Sequence, residues 1–380
     1  MSPYFCAMSK LWLTKLSLIN FKNYEQADLV LSENVNCFTG DNGVGKTNLL
    51  DALYYLAFCK SFFNPVDVQN IKQGEDFFVI QGNFLFNDKP ENIYCGNHKQ
   101  KKKVFKRNDK DYKKLAEHIG LIPLVMVNPA DTQLISDGSD VRRKFVDGVI
   151  SQYDKTYLSE LLAYNKAVYQ RNNLLKHFAE EGRFEESLLE VYDLQLADFA
   201  KSIYVARKQF LQEFIPTFKE YYQRISQKAE EVGFQYQSHL NDEPDLALLL
   251  QKSRTQDRAA RFTTKGIHKD DLVFTLNGNP LRKFGSQGQQ KTYVTALKMA
   301  QFHFMKVKKG VKPLLLLDDI FDKLDDSRVK AIMNMVSSDE FGQIFVTDTS
   351  SERLKVLFSD IEQEVKYFEI DHENHIFKAS

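Results

Sequence analysis

The chain has 380 residues, 43% hydrophobic and 27% charged, a globular composition rather than a disordered one. Lys plus Arg and Asp plus Glu both number 51, so overall charge gives no argument for a nucleic-acid partner and any basic surface has to be local. Cys6, Cys37, Cys59 and Cys95 form no CxxC pair and no apolar run approaches the ~20 residues of a membrane span, which sets aside zinc sites, disulfide frameworks and transmembrane helices and favours a reduced, cytoplasmic setting.

In chain order, "MSPYFCAMSK" lacks a charged start followed by a long apolar core, so no signal peptide is expected, and Met8 is an alternative start. "LWLTKLSLINF" and "ADLVLSENVNCFTG" read as strands with a turn at "KNYEQ" between them. The second runs through Gly40 into a helix, "KTNLLDALYYLAF". Strands return at "FFVIQGNFLF" and "NIYCG", followed by a basic segment, "KQKKKVFKRNDKDYKK", with a turn at "NDKD". "LIPLVMVNP" is a further short apolar run.

From Ser151 to Arg261 strand signals vanish. "YLSELLAYNKAVYQRNNLLKHF" and "ESLLEVYDLQLADFAKSIYVARKQFLQEFIPTFKEYYQRI" carry apolar residues every three to four positions, with "EEGRF" as the turn between them. The pattern predicts a helical arm folded back on itself, its second helix roughly 60 Å long if unbroken, with Pro216 expected to bend or interrupt it. No strict heptads run through it. Beyond the arm, "DDLVFTLNGNPL" reads as a hairpin with an Asn-Gly turn. "PLLLLDD" reads as a strand buried on both faces of a parallel sheet, with "QIFVTDT" as its neighbour.

"GDNGVGKT", with Gly40, Asp41, Asn42, Gly43, Val44, Gly45, Lys46 and Thr47, fits G-x-x-x-x-G-K-[ST] between a strand and a helix, and Asn48 follows it. Glycines let backbone N–H groups curl around phosphate oxygens, Lys46 reaches the β- and γ-phosphates, and the Thr47 hydroxyl ligates Mg²⁺. In "LLLLDD", Asp318 takes the strand-end place that holds Mg²⁺, and Asp319 stands where it orients or deprotonates an attacking water. A pair of carboxylates does not by itself reveal which one binds the metal. ATP and Mg²⁺ are the expected cofactors.

A phosphate loop alone does not choose between kinase, GTPase, motor and clamp, although no Asn-Lys-x-Asp guanine reader is present. "GSQGQQKT" discriminates further. Ser286, Gln287, Gly288 and Gln289 stand at the spacing of the Ser-Gly-Gly-Gln-like turn of ATP-binding-cassette ATPases, with Gln287 in place of a glycine. In those enzymes the turn caps a helix that faces the γ-phosphate held by another subunit. Asp325 in "KLDD" fits the loop that crosses to the partner. One chain cannot fold both turns onto the same ATP, so this reading requires a dimer; ordinary helix capping is the alternative for Ser286 and Gln289.

These segments together resemble the RecF family of bacterial recombination-repair ATPases, which is related to SMC proteins. The resemblance runs along essentially the whole chain. It is carried by "LSLINFKNYEQADL", "FTGDNGVGKTNLLDALYYLAFCKSF", "NPADTQLISDGSDVRRKFVDGVI" with Arg142, Arg143, Phe145 and Asp147, "YNKAVYQRNNLLK", "KGIHKDDLVFTLNG", "FGSQGQQKTYVTALKMAQ" and "LLLLDDIFDKLDDSR". Ala130, Asp140 and Ile267 depart from the usual pattern, none of them at a phosphate-binding position. The resemblance implies an α/β fold: an ATP-binding-cassette ATPase head (lobe I) with an inserted helical arm (lobe II). Residues 1–150 and 263–380 would form the head and residues 151–262 the arm. It implies Gln133 as the residue linking Mg²⁺ to the lobe interface. It further implies weak, DNA-stimulated ATPase activity, ATP-driven dimerisation, and binding of double-stranded DNA near single-strand gaps. RecO and RecR would be partners in loading RecA, in replication, repair of DNA damage and the SOS response.

The residues themselves say less about DNA. Lys101, Lys102, Lys103, Lys106 and Arg107 are the local basic candidates, fitting either salt-sensitive phosphate contacts or a charged edge that keeps a hairpin soluble. A transporter ATPase would carry a histidine after the last core strand, and "FVTDTS" has none. An SMC-like clamp of another DNA pathway remains the nearest alternative, and a cassette ATPase with no DNA role the next.

Overall fold

The structure is a computed structural model describing residues 9–321, 326–336, 340–359, 362–371, 373 and 376–379. The chain forms two compact units. Unit one comprises the residues up to Asp131, Arg224–Gln227 and those from Lys291 onward; unit two comprises Thr132–Gln223 and Lys228–Gln290.

Alternating apolar residues build an antiparallel sheet first. β1 (Leu11–Phe21) buries Leu11, Leu13, Leu16 and Leu18, and turns into β2 (Tyr24–Val30). The stretch read as one strand from Ala27 to Gly40 is two. The Asn36 side chain bonds both the N–H and the C=O of Ser32, and this turn sends β3 (Val35–Thr39) into a second sheet. After α1 (Lys46–Phe58) come β4 (Phe77–Phe86), β5 (Lys89–His98), β6 (Lys101–Arg107) and β7 (Lys110–Asp111). They complete a six-stranded sheet of order β2-β1-β4-β5-β6-β7. β8 (Leu124–Val127) ends this part of unit one.

Unit two begins with α2 (Gln133–Ser136), α3 (Ser139–Tyr153), α4 (Lys155–Glu181) and α5 (Glu186–Ser226). Asp154 caps α4 by accepting from the Tyr157 N–H, and Gly182 closes it at φ +67°, a left-handed conformation that favours glycine. Pro216 lies inside α5, which continues past it. Proline's φ of about −65° is already helical, and its cost is one lost backbone bond. The buried rings of Phe210, Phe214 and Phe218 hold both sides of the position.

A strand absent from the sequence reading follows: β9 (Val232–Gln237), antiparallel to β10 (Asp271–Leu276), with Phe234 opposite Phe274. Its short alternation is hidden beside a long helical pattern. α6 (Leu246–Ala260) lies between these strands in sequence, and β11 (Asn279–Pro280) returns across the Asn277-Gly278 turn. α7 (Leu281–Phe284) and α8 (Gln287–Lys309) lead onward.

β12 (Leu314–Asp318), α9 (Asp326–Val336), β13 (Ile344–Asp348), α10 (Ser351–Leu357), β14 (Val365–Ile370) and β15 (Ile376–Ala379) finish unit one. The second sheet has the order β15-β14-β3-β13-β12-β8, parallel except for β15. β12 and β13 are buried along their whole length, as their apolar runs require. Leu49, Leu50, Leu53 and Leu56 of α1 share one core with Leu16, Leu18 and Ile80 of the antiparallel sheet and with Leu314, Leu316 and Phe345 of the parallel one. The α/β head fold is therefore a helix held between two six-stranded sheets. No helix among the described residues is long and apolar enough to cross a membrane.

Candidate functional site

Parallel order places the carboxyl ends of β3, β13 and β12 side by side, where open α/β sheets bind ligands. β3 runs into the loop Gly40–Gly45, and α1 begins at Lys46. Gly40 has φ +146°, and a Cβ there would stand 2.4 Å from the Ile370 carbonyl oxygen, so only glycine fits. Lys46 is buried, and its ammonium donates to the carbonyls of Gly40 at 2.8 Å and Asp41 at 3.0 Å. The loop is thus curled around the lysine by its own backbone.

The Thr47 hydroxyl donates to Asp318 Oδ1 at 2.9 Å. Thr347, fully buried on β13, donates to the same oxygen at 2.7 Å and accepts the Asp319 N–H at 3.0 Å. Burial pushes the Asp318 carboxyl above the ordinary aspartate range, and the two threonine bonds pull it back. Asp319 has φ +45°, left-handed for a non-glycine residue, and its Oδ1 is buried without a hydrogen-bond partner. Asp348, at the end of β13, accepts from the Ser350 N–H at 2.7 Å. Burial raises its carboxyl as well, and the nearby charges of Asp319 and Lys46 act in opposite directions on it.

The donor set suits a hard divalent cation. A hydroxyl and a buried carboxylate supply oxygens, and the orphaned Asp319 oxygen awaits a donor. Mg²⁺ bound this way takes one or two protein oxygens and completes its shell with water and phosphate. Lys46 and the N-terminus of α1 favour the phosphate itself.

Gln133 and the turn at residues 286–289 belong to unit two. Gln133 opens α2 in unit two and is exposed. Ser286 and Gln289 form a capping box at the start of α8. The Ser286 hydroxyl accepts the Gln289 N–H at 3.2 Å, and Gln289 Oε1 accepts the Ser286 N–H at 2.8 Å. The Gln289 amide also donates to Glu230 at 2.8 Å. Ser286 and Gln287 are exposed, Gly288 half-buried. Asp325 lies outside the described residues.

The basic hairpin divides into two kinds of residue. Lys103 turns inward, donating to Asp67 at 2.7 Å and to the Cys59 carbonyl at 2.8 Å. Arg107 pairs with both carboxylate oxygens of Glu91. Lys106 lies over the Tyr94 ring, while Lys101 and Lys102 are exposed. Lys103 and Arg107 are thus each paired with an acid, Lys103 turned inward and Arg107 at the surface; positions 67 and 91 are too distant in sequence for charge counting to reveal them.

Asn23, Tyr24, Thr347 and Asp348 join the site without belonging to either sequence motif. Asn23 and Tyr24 bond the carbonyls of Val44 and Gly45. The signal for Thr347 and Asp348 was present: a second strand-end polar pair, "TD", beside the first.

A family model described as an AAA domain matches residues 15–375. A DNA replication and repair protein RecF of Flavobacterium johnsoniae is 52% identical over 94% of this chain and 99% of its own length. That of Porphyromonas gingivalis is 42% identical over 95% of this chain and 98% of its own length. A solved structure of the recombination mediator protein RecF with ATP, from the RecFOR pathway, superposes with a TM-score of 0.89 at 31% identity, covering 99% of this chain and 100% of that one. An Smc head domain from Pyrococcus furiosus matches with a TM-score of 0.57 at 16% identity over 97% of this chain and 96% of that one, a likeness of fold alone.

Proposed function

The chain belongs to the RecF family of DNA replication and repair proteins, and we propose that it is an ATP-switched DNA-binding protein of recombinational repair. The observation that carries this reading is the meeting of Thr47, Asp318 and the unpartnered Asp319 oxygen beside the phosphate loop. Gly40–Asn48 wrap the ATP phosphates, and Lys46 exchanges its bonds to the Gly40 and Asp41 carbonyls for phosphate oxygens. Thr47 and Asp318 hold Mg²⁺, which when bound neutralises phosphate charge. Asp319 takes the proton of the water that attacks the γ-phosphorus, while the bond to the ADP oxygen breaks. Gln133 reports the state of that site to the rest of the chain.

The same reading gives the turn Ser286, Gln287, Gly288 and Gln289 a role in trans, on ATP bound by a partner copy, with Asp325 at the crossing loop. Residues 1–150 and 263–380 act as the head and residues 151–262 as the arm, a functional division that differs from the compact units, in which 132–150 and 263–290 belong to unit two. ATP binding drives dimerisation on double-stranded DNA near single-strand gaps. Slow, DNA-stimulated hydrolysis releases it, and RecO and RecR take part in loading RecA there. Lys101, Lys102 and Lys106 are the solvent-side candidates for DNA phosphates.

Mass measurement of the protein with and without ATP and Mg²⁺, on gapped DNA and free, tests the reading. A monomer that doubles in mass with ATP and binds the gapped duplex supports it. A mass unchanged at saturating ATP overturns it.

A further inference from the structure

The turn between β1 and β2 meets the phosphate loop and α1 with three successive side chains, all within unit one. The Lys22 ammonium lies 2.6 Å from the fully buried Asp51 carboxylate of α1. Asn23 Nδ2 donates to the Val44 carbonyl at 3.0 Å, and its Oδ1 accepts from Asn48 Nδ2 at 2.6 Å. The Tyr24 hydroxyl, buried, donates to the Gly45 carbonyl at 3.0 Å. The Asn23 amide also fills the space above Gly45, where a Cβ would stand 2.2 Å from Nδ2.

Trans peptide geometry turns these contacts into an orientation. A peptide's C=O and N–H point to opposite sides. Asn23, by holding the Val44 carbonyl, aims the Gly45 N–H away from itself. Tyr24, by holding the Gly45 carbonyl, aims the Lys46 N–H away likewise. These are amides of the kind a phosphate loop offers to its anion. Gly45 has φ +106°, so glycine's many alternative conformations compete with this one unless something outside the loop selects it.

We propose that Asn23 is a positioning residue: it holds the phosphate loop in its anion-accepting shape before nucleotide arrives. The inference rests on the ATP-binding reading above. Asn23 bonds the backbone before the lysine and the Asn48 side chain after it, so one side chain ties both flanks of the loop to the antiparallel sheet. Without it only a fraction of molecules would hold the competent loop, and apparent affinity falls by that fraction. The loss appears in the association rate. The dissociation rate is unchanged, because the bound loop is then held by the phosphate itself.

Stopped-flow binding of a fluorescent ATP analogue to wild-type protein, Asn23→Ala, Asn48→Ala and the double variant tests this. Asn23→Ala loses the bonds to the Val44 carbonyl and to Asn48, and the expected effect is roughly a tenfold weaker Kd, carried by slower association. Asn48→Ala, which severs one of them, is expected to lose about threefold. The double variant should match Asn23→Ala alone, since both act through one link. Thermal unfolding of the nucleotide-free proteins keeps a folding defect apart from a loop defect. If Asn23→Ala does not fold, Asn48→Ala still reads the association rate. Wild-type protein that does not bind the analogue overturns the ATP-binding reading itself. Wild-type binding with an unchanged Kd in the variants, or a loss lying wholly in dissociation, overturns the role of Asn23.

Discussion

Thr47 and Asp318 stand 271 positions apart in the chain, yet the threonine hydroxyl donates to the aspartate carboxylate at 2.9 Å. The start of α1, just after the loop that follows β3, and the end of β12 are thereby closed onto each other, although β13 separates β3 from β12 in the sheet. Thr347 of that intervening strand completes the link, bonding Asp318 on one side and the Asp319 backbone on the other. Two carboxylates adjacent in sequence thus acquire different surroundings. Asp318 has its Oδ1 engaged by two hydroxyls, whereas Asp319 keeps a buried oxygen without a protein donor.

That difference predicts different outcomes for the two acids. Asp319→Asn retains shape and a hydrogen-bonding oxygen but not the base. ATP affinity is expected to stay within a few fold, while hydrolysis falls by roughly 10²-fold or more. The ATP-bound form should then persist on DNA. Single-turnover phosphate release checks this, and wild-type turnover in the variant would remove Asp319 from its role.

The parts of this site legible in the sequence are those whose chemistry is local. A glycine loop ending in Lys46-Thr47, and an apolar run ending in Asp318-Asp319, each announce themselves within a dozen residues. What pattern reading misses is what folding brings from afar. Asn23 and Tyr24 look like ordinary turn residues until Val44 and Gly45 lie against them. The same holds for the fold: β9 pairs with a strand beyond α6, and Pro216 is tolerated by a packed aromatic row that local propensity does not see.

The basic hairpin gives a prediction in salt. Lys101, Lys102 and Lys106 changed together to Ala should flatten the log–log salt dependence of DNA binding by about 0.9 for each DNA phosphate no longer neutralised. Lys103→Ala should leave that slope alone and instead destabilise the protein by roughly 2 kcal/mol, since Asp67 and the Cys59 carbonyl lose a charged donor. Filter binding over a salt series and chemical denaturation separate the two. A slope unaltered by the triple substitution would move the DNA surface elsewhere.

Unit two carries a titration of its own. His268 Nε2 faces the Thr263 carbonyl at 3.0 Å and so carries the hydrogen, leaving Nδ1 to accept from the Tyr164 hydroxyl at 2.8 Å. Burial pushes the ring's pKa down from 6.5 to about 4. Between those values the unfolded chain takes up a proton that the folded one refuses. Stability is therefore fully present above pH 6.5 and falls as the pH drops to about 4, by about 3 kcal/mol in total. Urea midpoints against pH, compared with His268→Gln, isolate this contribution; identical slopes in both proteins would refute it.

The turn at Ser286 is a helix cap in the single chain, and the dimer reading asks it to do more. The capping box with Gln289 accounts for Ser286 without any partner, so a variant has to separate capping from a role in trans. Ser286→Ala and Ser286→Arg lose the same cap, at about 1 kcal/mol of stability each. Only the arginine adds bulk where a γ-phosphate held by another subunit would approach the helix N-terminus. Ser286→Arg is therefore expected to bind ATP with nearly normal affinity, to stay monomeric, to hydrolyse little and to hold DNA weakly. Lys46→Ala should fail differently, by losing ATP itself. Mixing the two gives dimers in which one composite site joins an intact phosphate loop to an intact Ser286, while the other site is doubly defective. About half of wild-type activity per mixed dimer should return, provided one site fires alone. If Ser286→Arg dimerises and turns over like Ser286→Ala, the turn is a cap and nothing more, and the two-sided site is wrong.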